Sequence, residues 1–340
     1  MSTVWRAAEW AEPDPPAVPA GLGPALDLGR RLAPVARDLP ADPWRYLATL
    51  ATLGAGDLGT ARTVEPHLDA VAVLEQAGRP DLTPLGVDED STFGVYAARA
   101  PGAVLRATRS SGTDDTGWRV SGRKAWCSLA PSLSHALVTV DEGERPGLYA
   151  VPLRHGGVAH EAGDWVARGL TAVTTGAVVL DDVPAVPVGE PGWYLARPGF
   201  AWGGIGVAAV WFGGAAALGG RLVDAAGRRP PDQVALLHLG TADRGLHTAL
   251  LALRDAARAI GDGSADGPAG SLLAARVRAV VAGVAEEVLT VVGHGLGPAP
   301  LTHDDEHAGR VADLTVYLRQ HHAERDLAAL GSLVLGDDDR

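Results

Sequence analysis

The chain of 340 residues is long enough to bury a sizeable core and to form two or three domains. Its net charge of −12 argues against a nucleic-acid-binding protein, which needs a basic surface to displace counterions from phosphates. The single cysteine, Cys127, excludes an intramolecular disulfide and is typical of a reducing compartment. Acids and prolines occupy the N-terminus instead of a signal-like segment, and no apolar run in the sequence reaches transmembrane length. We therefore expect a cytoplasmic protein with no nucleic-acid and no membrane partner.

Residues 1–90 have the pattern of a helical N-terminal region. Residues 1–24 are rich in prolines and acids, and we expect them to be extended or poorly ordered. After them, apolar residues recur every three or four positions, as on one face of a helix, and Asp57 and Gly78 mark a helix start and stop. The predicted helices are Leu26–Ala36, Trp44–Leu53 and Leu58–Ala77.

Residues 91–190 have the two-residue period of β-strands. From about Thr92, short runs rich in valine, leucine and alanine alternate with clusters of turn-forming residues. The turn clusters are Ser110–Gly117, Asp141–Pro146, His155–Gly157 and Asp181–Pro187. The pattern predicts an all-β domain.

Residues 191–340 return to the helical period. Long apolar stripes with short connections predict helices that must pack antiparallel in a bundle to bury their apolar faces. The glycine-rich segment Gly261–Gly270 is interpreted as a flexible connection between two of them. The four predicted helices are Gly199–Ala226, Asp232–Ile260, Leu272–Val292 and Glu306–Leu335. The sequence thus predicts an α+β multidomain fold, with a β-domain between two helical regions.

One segment of the predicted β-domain, Gly117–Ala130, has the features of a hairpin that carries a site. Trp118 begins the first arm, and the turn pair Ser121-Gly122 ends it. In the second arm, Trp126 and Ser128 point to the same face, because side chains two apart on a strand do so. An indole beside a hydroxyl suits an isoalloxazine ring, which needs an apolar wall and hydrogen bonds at its polar edge. The alternative is a core tryptophan and a solvated serine at the rim of a sheet.

The segment Gly122-Arg-Lys-Ala-Trp-Cys-Ser128 resembles the flavin-binding strand of the acyl-CoA dehydrogenases, which has the pattern G-x-K-x-[WFY]-I-[TS]. The resemblance implies an N-terminal helical domain, a middle β-barrel-like domain and a C-terminal four-helix bundle. It also implies FAD, bound between the subunits of a homodimer or homotetramer, with Trp126 and Ser128 at the flavin ring. Over residues 90–335, the similar segments follow in the family's order: His135–Thr139, Gly147–Pro152, Val179–Pro184, Val188–Gly189 and Gly203–Ala209.

The resemblance implies further FAD-binding positions, some of them altered. Pro101 belongs to Pro101–Ala103, which is what survives of a longer motif that contacts the flavin and the substrate. The family motif Arg-x-x-Phe-Gly, whose arginine contacts the FAD pyrophosphate of a neighbouring subunit, corresponds to Leu236–Gly240, so the arginine is missing. His238 in this segment is the candidate to compensate for it, although a neutral histidine is a weak substitute for guanidinium. Gly293 and Gly295 correspond to a pair that admits the adenosine end of FAD. The alternative for these glycines is the C-terminal end of a helix.

The family's catalytic glutamate has no counterpart at either of its two positions. The C-terminal position aligns with Arg319, and the alternative position aligns with the region of Gly203 on the first bundle helix. Abstraction of an α-proton needs a carboxylate within hydrogen-bond reach. The sequence therefore argues against simple α,β-dehydrogenation of saturated acyl-CoAs.

A polar cluster, Arg319–Asp326, occupies the place of the C-terminal glutamate. On a helix, His322 and Asp326 would lie on one face, because they are four residues apart. We interpret His322 as a proton-transfer residue that Asp326 orients. Arg319 would position an anion, and His321 is the alternative proton-transfer residue, because a helix presents only one of two neighbours to a cavity. A solvated helix face with ion pairs is the other interpretation.

Two other polar clusters carry weaker signals. Thr302–His307 has two histidines four residues apart, as in some metal sites, but Thr302 and the acids after it also form a helix N-cap. We therefore predict no metal site. In the cluster Glu65–Asp69, His67 is a candidate to face an active-site cavity, although we expect the cluster at the surface.

Three functions follow from these features. The first is an FAD-dependent oxidoreductase that acts on an acyl thioester, such as an acyl-CoA, or on a related small metabolite. The second is a flavin-dependent monooxygenase or oxidase, in which a histidine replaces the glutamate. The third is a flavin-free, non-catalytic binding or scaffold protein, which the loss of both glutamates and of the pyrophosphate arginine favours. Bound flavin is yellow, so the colour of the purified protein separates the third function from the first two.

Overall fold

The computed structural model describes residue 10 and residues 17–110, 117–141, 143, 145–163 and 165–336. Helices precede and follow a group of strands along the chain, which confirms the predicted α+β class. The predicted turn at Ser110–Gly117 lies mainly outside the described residues, as does most of the segment 1–16.

The N-terminal region consists of three helices: α1 Leu22–Arg37, α2 Pro43–Gly56 and α3 Leu58–Gln76. They coincide with the three predicted helices apart from their ends. The prediction of extended chain is wrong for residues 22–24, which begin α1; Pro24 is tolerated in the first turn, where backbone N–H groups have no helical partner. Asp57 caps α3, since its side chain accepts a hydrogen bond of 2.6 Å from the Thr60 backbone.

The strands of the β-domain are β1 Phe93–Tyr96, β2 Leu105–Arg109, β3 Trp118–Ser128, β4 His135–Val140, β5 Gly147–Pro152, β6 Val158–Glu161 and β7 Thr175–Pro187. Hydrogen bonds connect them in the order β1-β4-β5-β7-β3-β2, and β6 also pairs with β7. β1 and β4 are parallel, whereas the other pairs are antiparallel. The long strands β3 and β7 therefore lie side by side, and β3 carries the motif described above. The predicted hairpin with a turn at Ser121-Gly122 is wrong, because Trp118–Ser128 forms one bulged strand paired with β2 and β7. The predicted turn at Asp181–Pro187 is also wrong, because these residues belong to β7.

The C-terminal region contains α4 Trp193–Ala196, α5 Pro198–Arg228, α6 Gln233–Gly261, α7 Gly267–Leu296, α8 Ala299–His303, α9 Asp305–Tyr317 and α10 Glu324–Leu335. Three predicted helices correspond to α5, α6 and α7. The prediction of one continuous helix over Glu306–Leu335 is wrong, because the chain leaves the helical path after Tyr317. There Arg278 of α7 donates a hydrogen bond of 3.0 Å to the Gln320 carbonyl, which would otherwise accept from the helix itself.

Close contact between α2 and α5 joins the N-terminal region to the bundle. A Cβ atom on Gly213 of α5 would lie 2.0 Å from the Ala51 carbonyl oxygen, and a Cβ on Gly54 of α2 would lie 2.3 Å from the Val210 carbonyl oxygen. Only glycine permits the two backbones to approach this closely. The contact fixes α3, which follows α2 directly, against the first half of α5.

Two helices, α5 and α7, are long and apolar enough to cross a membrane by length and composition alone. In α5, 72% of the most apolar window is buried inside the protein, as in the core helix of a bundle. The corresponding figure for α7 is 33%, so much of its apolar surface has no cover within the described part of this chain.

Candidate functional site

Strand β3 is bulged where it carries Trp126. Its pairing with β7 shifts register between Lys124 and Cys127, and Trp126 has a φ of 62°, in the left-handed region that non-glycine residues rarely adopt. The bulge interrupts the simple alternation of side chains on which the sequence prediction relied. It leaves the Trp126 indole 61% exposed, next to the partly buried Ser128. Backbone strain of this kind occurs preferentially at functional sites.

Hydrogen bonds connect Ser128 to helix α3 and to strands β1 and β7. Its hydroxyl lies 2.9 Å from Thr175 Oγ1 and accepts a bond of 3.4 Å from Arg62 on α3. Its carbonyl accepts a bond of 2.9 Å from the Tyr96 hydroxyl. Trp126, Ser128 and Arg62 line one narrow cleft of about 20 Å³ between α3 and the β-domain. We call this space the Trp126 cleft.

Two predicted cofactor residues, Pro101 and His238, do not line the Trp126 cleft. Pro101 is exposed in a tight turn that precedes β2. His238 lies on α6, and its ring packs edge to face against that of His294 on α7, with 6.1 Å between the ring centroids. His238 could therefore contact a pyrophosphate only at the surface of the bundle. This agrees with the resemblance, which implies that the FAD contacted there belongs to a neighbouring subunit.

The glycine pair Gly293 and Gly295 lies in the last turns of α7, which ends at Gly297 with a φ of 68°. This is the helix end that the sequence left open as the alternative. A Cβ atom on Gly295 would lie 2.9 Å from Leu222 Cδ2, so this glycine permits packing against α5. A Cβ on Gly293 would meet nothing within 4 Å, and a contact of this residue with adenosine stays a prediction.

A larger cavity, of about 550 Å³, lies where α3, α5 and α7 meet the turn before α10. We call it the central cavity. Three acids line it, Glu65 and Asp69 from α3 and Asp326 from α10, and two arginines, Arg197 and Arg278, line it as well. The apolar part of the lining is formed by Tyr194, Phe200, Ala201, Val207 and Ala274. The mixture of carboxylates and guanidinium groups makes the central cavity polar.

Glu65 is a buried carboxyl group at the wall of the central cavity. Its Oε2 lies 3.5 Å from Arg62 Nη1 and accepts a hydrogen bond of 3.4 Å from the Tyr317 hydroxyl. Burial raises the pKa of Glu65 to about 7, and the nearby Asp69 contributes in the same direction, whereas Arg62 opposes the shift. Near neutral pH this side chain therefore exists in both protonation states.

Asp69 is held between Arg197 and the first bundle helix. Its Oδ1 lies 3.7 Å from Arg197 Nη2, and the two side chains form an ion pair that is largely buried. Burial raises the pKa of the Asp69 carboxyl, and Arg197 opposes the shift. A Cβ atom on Gly203 would lie only 3.0 Å from Asp69 Oδ1. The Asp69 carboxyl therefore fills the space beside Gly203, where the resemblance placed a glutamate on α5.

The predicted pair His322 and Asp326 forms at the central cavity. His322 Nδ1 lies 3.1 Å from Asp326 Oδ1, although His322 precedes α10 and the two residues do not share one helix as predicted. His321 is buried against Trp211, with 6.4 Å between the ring centroids, and its Nε2 lies 4.0 Å from Asp326 Oδ2. Burial lowers the pKa of His321. Of the two histidines, His322 lines the cavity and His321 does not.

Arg319 does not line the central cavity but lines a second cavity together with His321 and His322, and its contact with an anion stays a prediction. The break after Tyr317 directs Arg319 to the surface, where it forms an ion pair with Glu286 of α7. Arg278 supplies the positive charge at this end of the central cavity instead. It donates a hydrogen bond of 3.2 Å to the Gly204 carbonyl, and its guanidinium group lies 4.8 Å from the Trp211 ring centroid.

The expectation that the cluster Glu65–Asp69 lies at the surface is wrong. Glu65 and His67 are buried, and the Asp69 side chain is 18% exposed. His67 faces away from the central cavity, accepts a hydrogen bond of 3.2 Å from the Phe93 backbone, and has a pKa lowered to about 4 by burial. A sequence signal existed, since Glu65 and Asp69 are four residues apart on one helix face. Their burial depends on α5 and α9, which are distant in sequence.

The cluster Thr302–His307 forms a helix start. Asp304, and not Thr302, caps α9 by accepting a hydrogen bond of 3.1 Å from the His307 backbone. Within the described ranges, no group of three or more His, Cys, Asp or Glu side chains is arranged to hold a metal ion.

No family model matches the sequence, and no curated protein sequence matches it. Solved structures do match. Butyryl-CoA dehydrogenase from Megasphaera elsdenii is 19% identical, over 92% of this chain and 97% of that chain, with a TM-score of 0.73. KijD3, in complex with FMN and dTDP-3-amino-2,3,6-trideoxy-4-keto-3-methyl-D-glucose, is 20% identical, over 96% and 97%, with a TM-score of 0.72. The dibenzothiophene monooxygenase TdsC from Paenibacillus sp. A11-2 is 15% identical, over 92% and 97%, with a TM-score of 0.71.

These likenesses span nearly the whole of this chain and of each matched chain. The protein therefore has the acyl-CoA dehydrogenase fold, as the sequence motifs predicted. The matched structures carry different chemistry on this fold, so the fold does not by itself choose among the three candidate functions.

Proposed function

We propose that the protein is a flavin-dependent oxidoreductase of the acyl-CoA dehydrogenase type. The observation that carries this proposal is Trp126, whose exposed indole is held by a strained bulge beside the Ser128 hydroxyl. An exposed indole and a strained backbone both raise the free energy of the protein, and a flat ligand that covers the indole offsets that cost. The motif around Trp126 and the fold support a flavin as this ligand.

The residues of the two spaces have separate tasks in such a reaction. Trp126 would hold the flavin ring by stacking, and Ser128, held by Arg62, would form a hydrogen bond with its polar edge. Bound flavin supplies two-electron redox chemistry. The residues of the central cavity bind and orient the substrate and exclude water from it. The His322–Asp326 pair exchanges a proton with solvent, since the His322 side chain is 60% exposed and hydrogen-bonded to the acid.

The proposed substrate is a small polar metabolite, and one form of it is an acyl thioester, such as an acyl-CoA, whose acyl group carries polar substituents. Glu65, Asp69, Arg197 and Arg278 line the central cavity and need polar partners when water leaves. A long aliphatic chain offers none. The matched KijD3 structure holds a nucleotide-linked amino sugar, which is a polar ligand on the same fold.

FAD is the proposed form of the flavin. Trp126 and Ser128 support binding of the ring, which FAD and FMN share. His238 is a weak partner for the FAD pyrophosphate, because a neutral histidine lacks the charge and the paired donors of guanidinium. The KijD3 structure contains FMN, so FMN is the comparison ligand.

Titration of the purified protein with FAD and with FMN, followed by flavin absorbance and fluorescence, tests this proposal. We expect saturable binding of flavin, and about tenfold weaker binding by Trp126→Ala, since aromatic stacking contributes on the order of 1 kcal/mol. Trp44→Ala is the matched control, because it removes an indole on α2 that packs under Arg254. If neither FAD nor FMN binds, the proposal fails and the flavin-free binding or scaffold protein becomes the better account.

A monooxygenase or oxidase is the second candidate. The His322–Asp326 pair favours it, because a histidine hydrogen-bonded to an acid lies near the place where the resemblance expects a glutamate. Reoxidation of the dithionite-reduced flavoprotein by air separates the two candidates. Rapid reoxidation favours the monooxygenase or oxidase, and a reduced flavin that persists in air favours a dehydrogenase.

We propose a homodimer or homotetramer assembled through the bundle. Apolar side chains on its helices are exposed in the single chain, and much of the apolar surface of α7 lacks cover. A second copy of the chain would bury this surface, as in other obligate oligomers. The exposed apolar residues of α6 and α10 are Val234, Leu236, Leu237, Leu251, Leu327, Val334 and Leu335.

A further inference from the structure

One arginine separates the Trp126 cleft from the central cavity. On the cleft side, Arg62 donates a hydrogen bond of 3.4 Å to Ser128 Oγ. On the cavity side, another nitrogen of the same guanidinium group lies 3.5 Å from Glu65 Oε2. Glu65 therefore lines the place of the proposed substrate and is connected through Arg62 to the Trp126 cleft.

The Glu65 carboxyl is held in one orientation by its neighbours. The Tyr317 hydroxyl donates to its Oε2, and the Arg62 guanidinium group lies over the Tyr317 ring, 5.8 Å from the centroid. Both partners belong to helices that are packed into the core. A reacting group must be positioned in this way, because small displacements reduce the rate of proton transfer strongly.

Asp69 brings a second carboxyl group to the same wall, one helical turn further along α3. It fills the space beside Gly203, so α3 supplies a carboxyl where α5 has none. Two acids at this spacing repel each other when both are charged, and the repulsion makes Glu65 hold its proton more strongly.

We propose that Glu65 is the general base of this site and that Asp69, one helical turn further along α3, is a positioning residue for it. The inference rests on the proposed function, since the proton comes from the substrate. The bond between the proton and the substrate atom breaks, its electron pair stays on the substrate, and the proton moves to Glu65. It then leaves through the His322–Asp326 pair at the solvent-exposed side of the cavity.

The electrostatic surroundings of Glu65 agree with this role. Burial raises its pKa to about 7, so at neutral pH a large fraction is ionised and each carboxylate is basic enough to accept a proton. The charged and titratable groups that face it are Arg62 and Asp69 of α3, Tyr46 of α2, Tyr194 of α4, Arg197 before α5, Arg278 of α7, Tyr317 of α9, His322 before α10, and Asp326 in the first turn of α10.

A cofactor-free probe, 5-nitrobenzisoxazole, tests the base in the purified protein. A carboxylate that removes its C3 proton breaks the ring N–O bond and releases a yellow cyanonitrophenolate, with no change in oxidation state of the protein. We expect elimination that rises with pH through an apparent pKa of about 7. Glu65→Gln should lower the rate by a factor of about 10² or more, since it keeps the shape and removes the base.

The matched control is Glu75→Gln, on the same helix but paired with Arg79 at the surface; it should leave the elimination rate unchanged. Asp69→Asn should shift the pH profile to lower pH, because it removes the like charge, whereas a merely structural role would lower the rate at every pH. Carbon-13 NMR of glutamate-labelled protein gives a second measurement. One resonance should titrate near pH 7 and be absent in Glu65→Gln.

Either of two results overturns the inference. One is a Glu65 resonance that titrates near 4.5, the ordinary value for glutamate. The other is an equal elimination rate in the wild type and in Glu65→Gln. Neither result bears on flavin binding, so a failure here is distinguishable from a failure of the proposed function, which the flavin titration detects.

Discussion

At the scale of single residues, the Glu65 carboxyl destabilises the folded protein when it is charged. Its pKa is about 7 in the folded state and near 4.5 in the unfolded chain, so the folded state binds more protons between these values. The contribution of Glu65 to stability is therefore full below pH 4.5 and declines as the pH rises to 7. Above pH 7 the loss is on the order of 3 kcal/mol at most.

We accordingly expect Glu65→Gln to unfold at higher urea concentration than the wild type at pH 8, because glutamine resembles the protonated form. The difference in the free energy of unfolding should be about 1–3 kcal/mol at pH 8 and should vanish near pH 4.5. Urea unfolding at both pH values measures it. A Glu65→Gln variant that is less stable at pH 8 would contradict the raised pKa.

The sequence indicates Trp126 and Ser128 as candidates because their signal is local, a strand motif within a few residues. It did not show the bulge that exposes Trp126, which arises from the pairing of β3 with β7. The sequence shows Glu65 only as part of a polar cluster and does not show that it is buried. Its burial depends on α9 and the bundle, which contribute Tyr317 and Arg278. Buried carboxyl groups of this kind are defined by tertiary packing and not by sequence spacing.

At the scale of helices and strands, the contact between α2 and α5 is a point where packing admits no side chain. We expect Gly213→Ala to lower the free energy of unfolding by about 1–3 kcal/mol or more, because its Cβ would overlap the Ala51 carbonyl. Gly220→Ala on the same helix is the control. Its Cβ would meet nothing within 4 Å, so the helix preference of alanine should stabilise the protein by about 0.5–1 kcal/mol. Thermal unfolding of both variants compares them, and equal stabilities would show that the helices are further apart.

Helix periods and capping residues are sufficient to predict helices bounded by local signals. An example is α3, which begins directly after its N-cap residue Asp57. The same signals fail at the break between α9 and α10, where the sequence keeps its helical pattern. The break depends on Arg278, which lies on α7 and donates a hydrogen bond to the Gln320 carbonyl. No local pattern in residues 306–335 indicates this contact. This break also directs Arg319 to the surface and leaves His322 at the central cavity.

At the scale of the whole molecule, the apolar surface of the bundle predicts self-association. We expect light scattering with size-exclusion chromatography to give the mass of a dimer or tetramer of the 34.9 kDa chain. Leu237→Glu should shift the protein toward the monomer, because it places a charge in the buried interface. Val166→Glu, at an exposed apolar position in the β-domain, should not. A monomeric wild type at micromolar concentration would contradict the proposed assembly.

The charged lining of the central cavity predicts that saturated acyl-CoAs are not substrates of the protein. We expect butyryl-CoA and octanoyl-CoA to bleach the bound flavin no faster than they bleach free flavin under anaerobic conditions. Their saturated chains would displace water from Asp69, Arg197 and Arg278 without offering a hydrogen bond, a cost of roughly 1–3 kcal/mol for each unpaired group. Dithionite, which needs no cavity, confirms in the same cuvette that the flavin can be reduced. Rapid bleaching by either thioester would contradict the prediction, and its loss in Glu65→Gln would then identify Glu65 as the base that removes the α-proton.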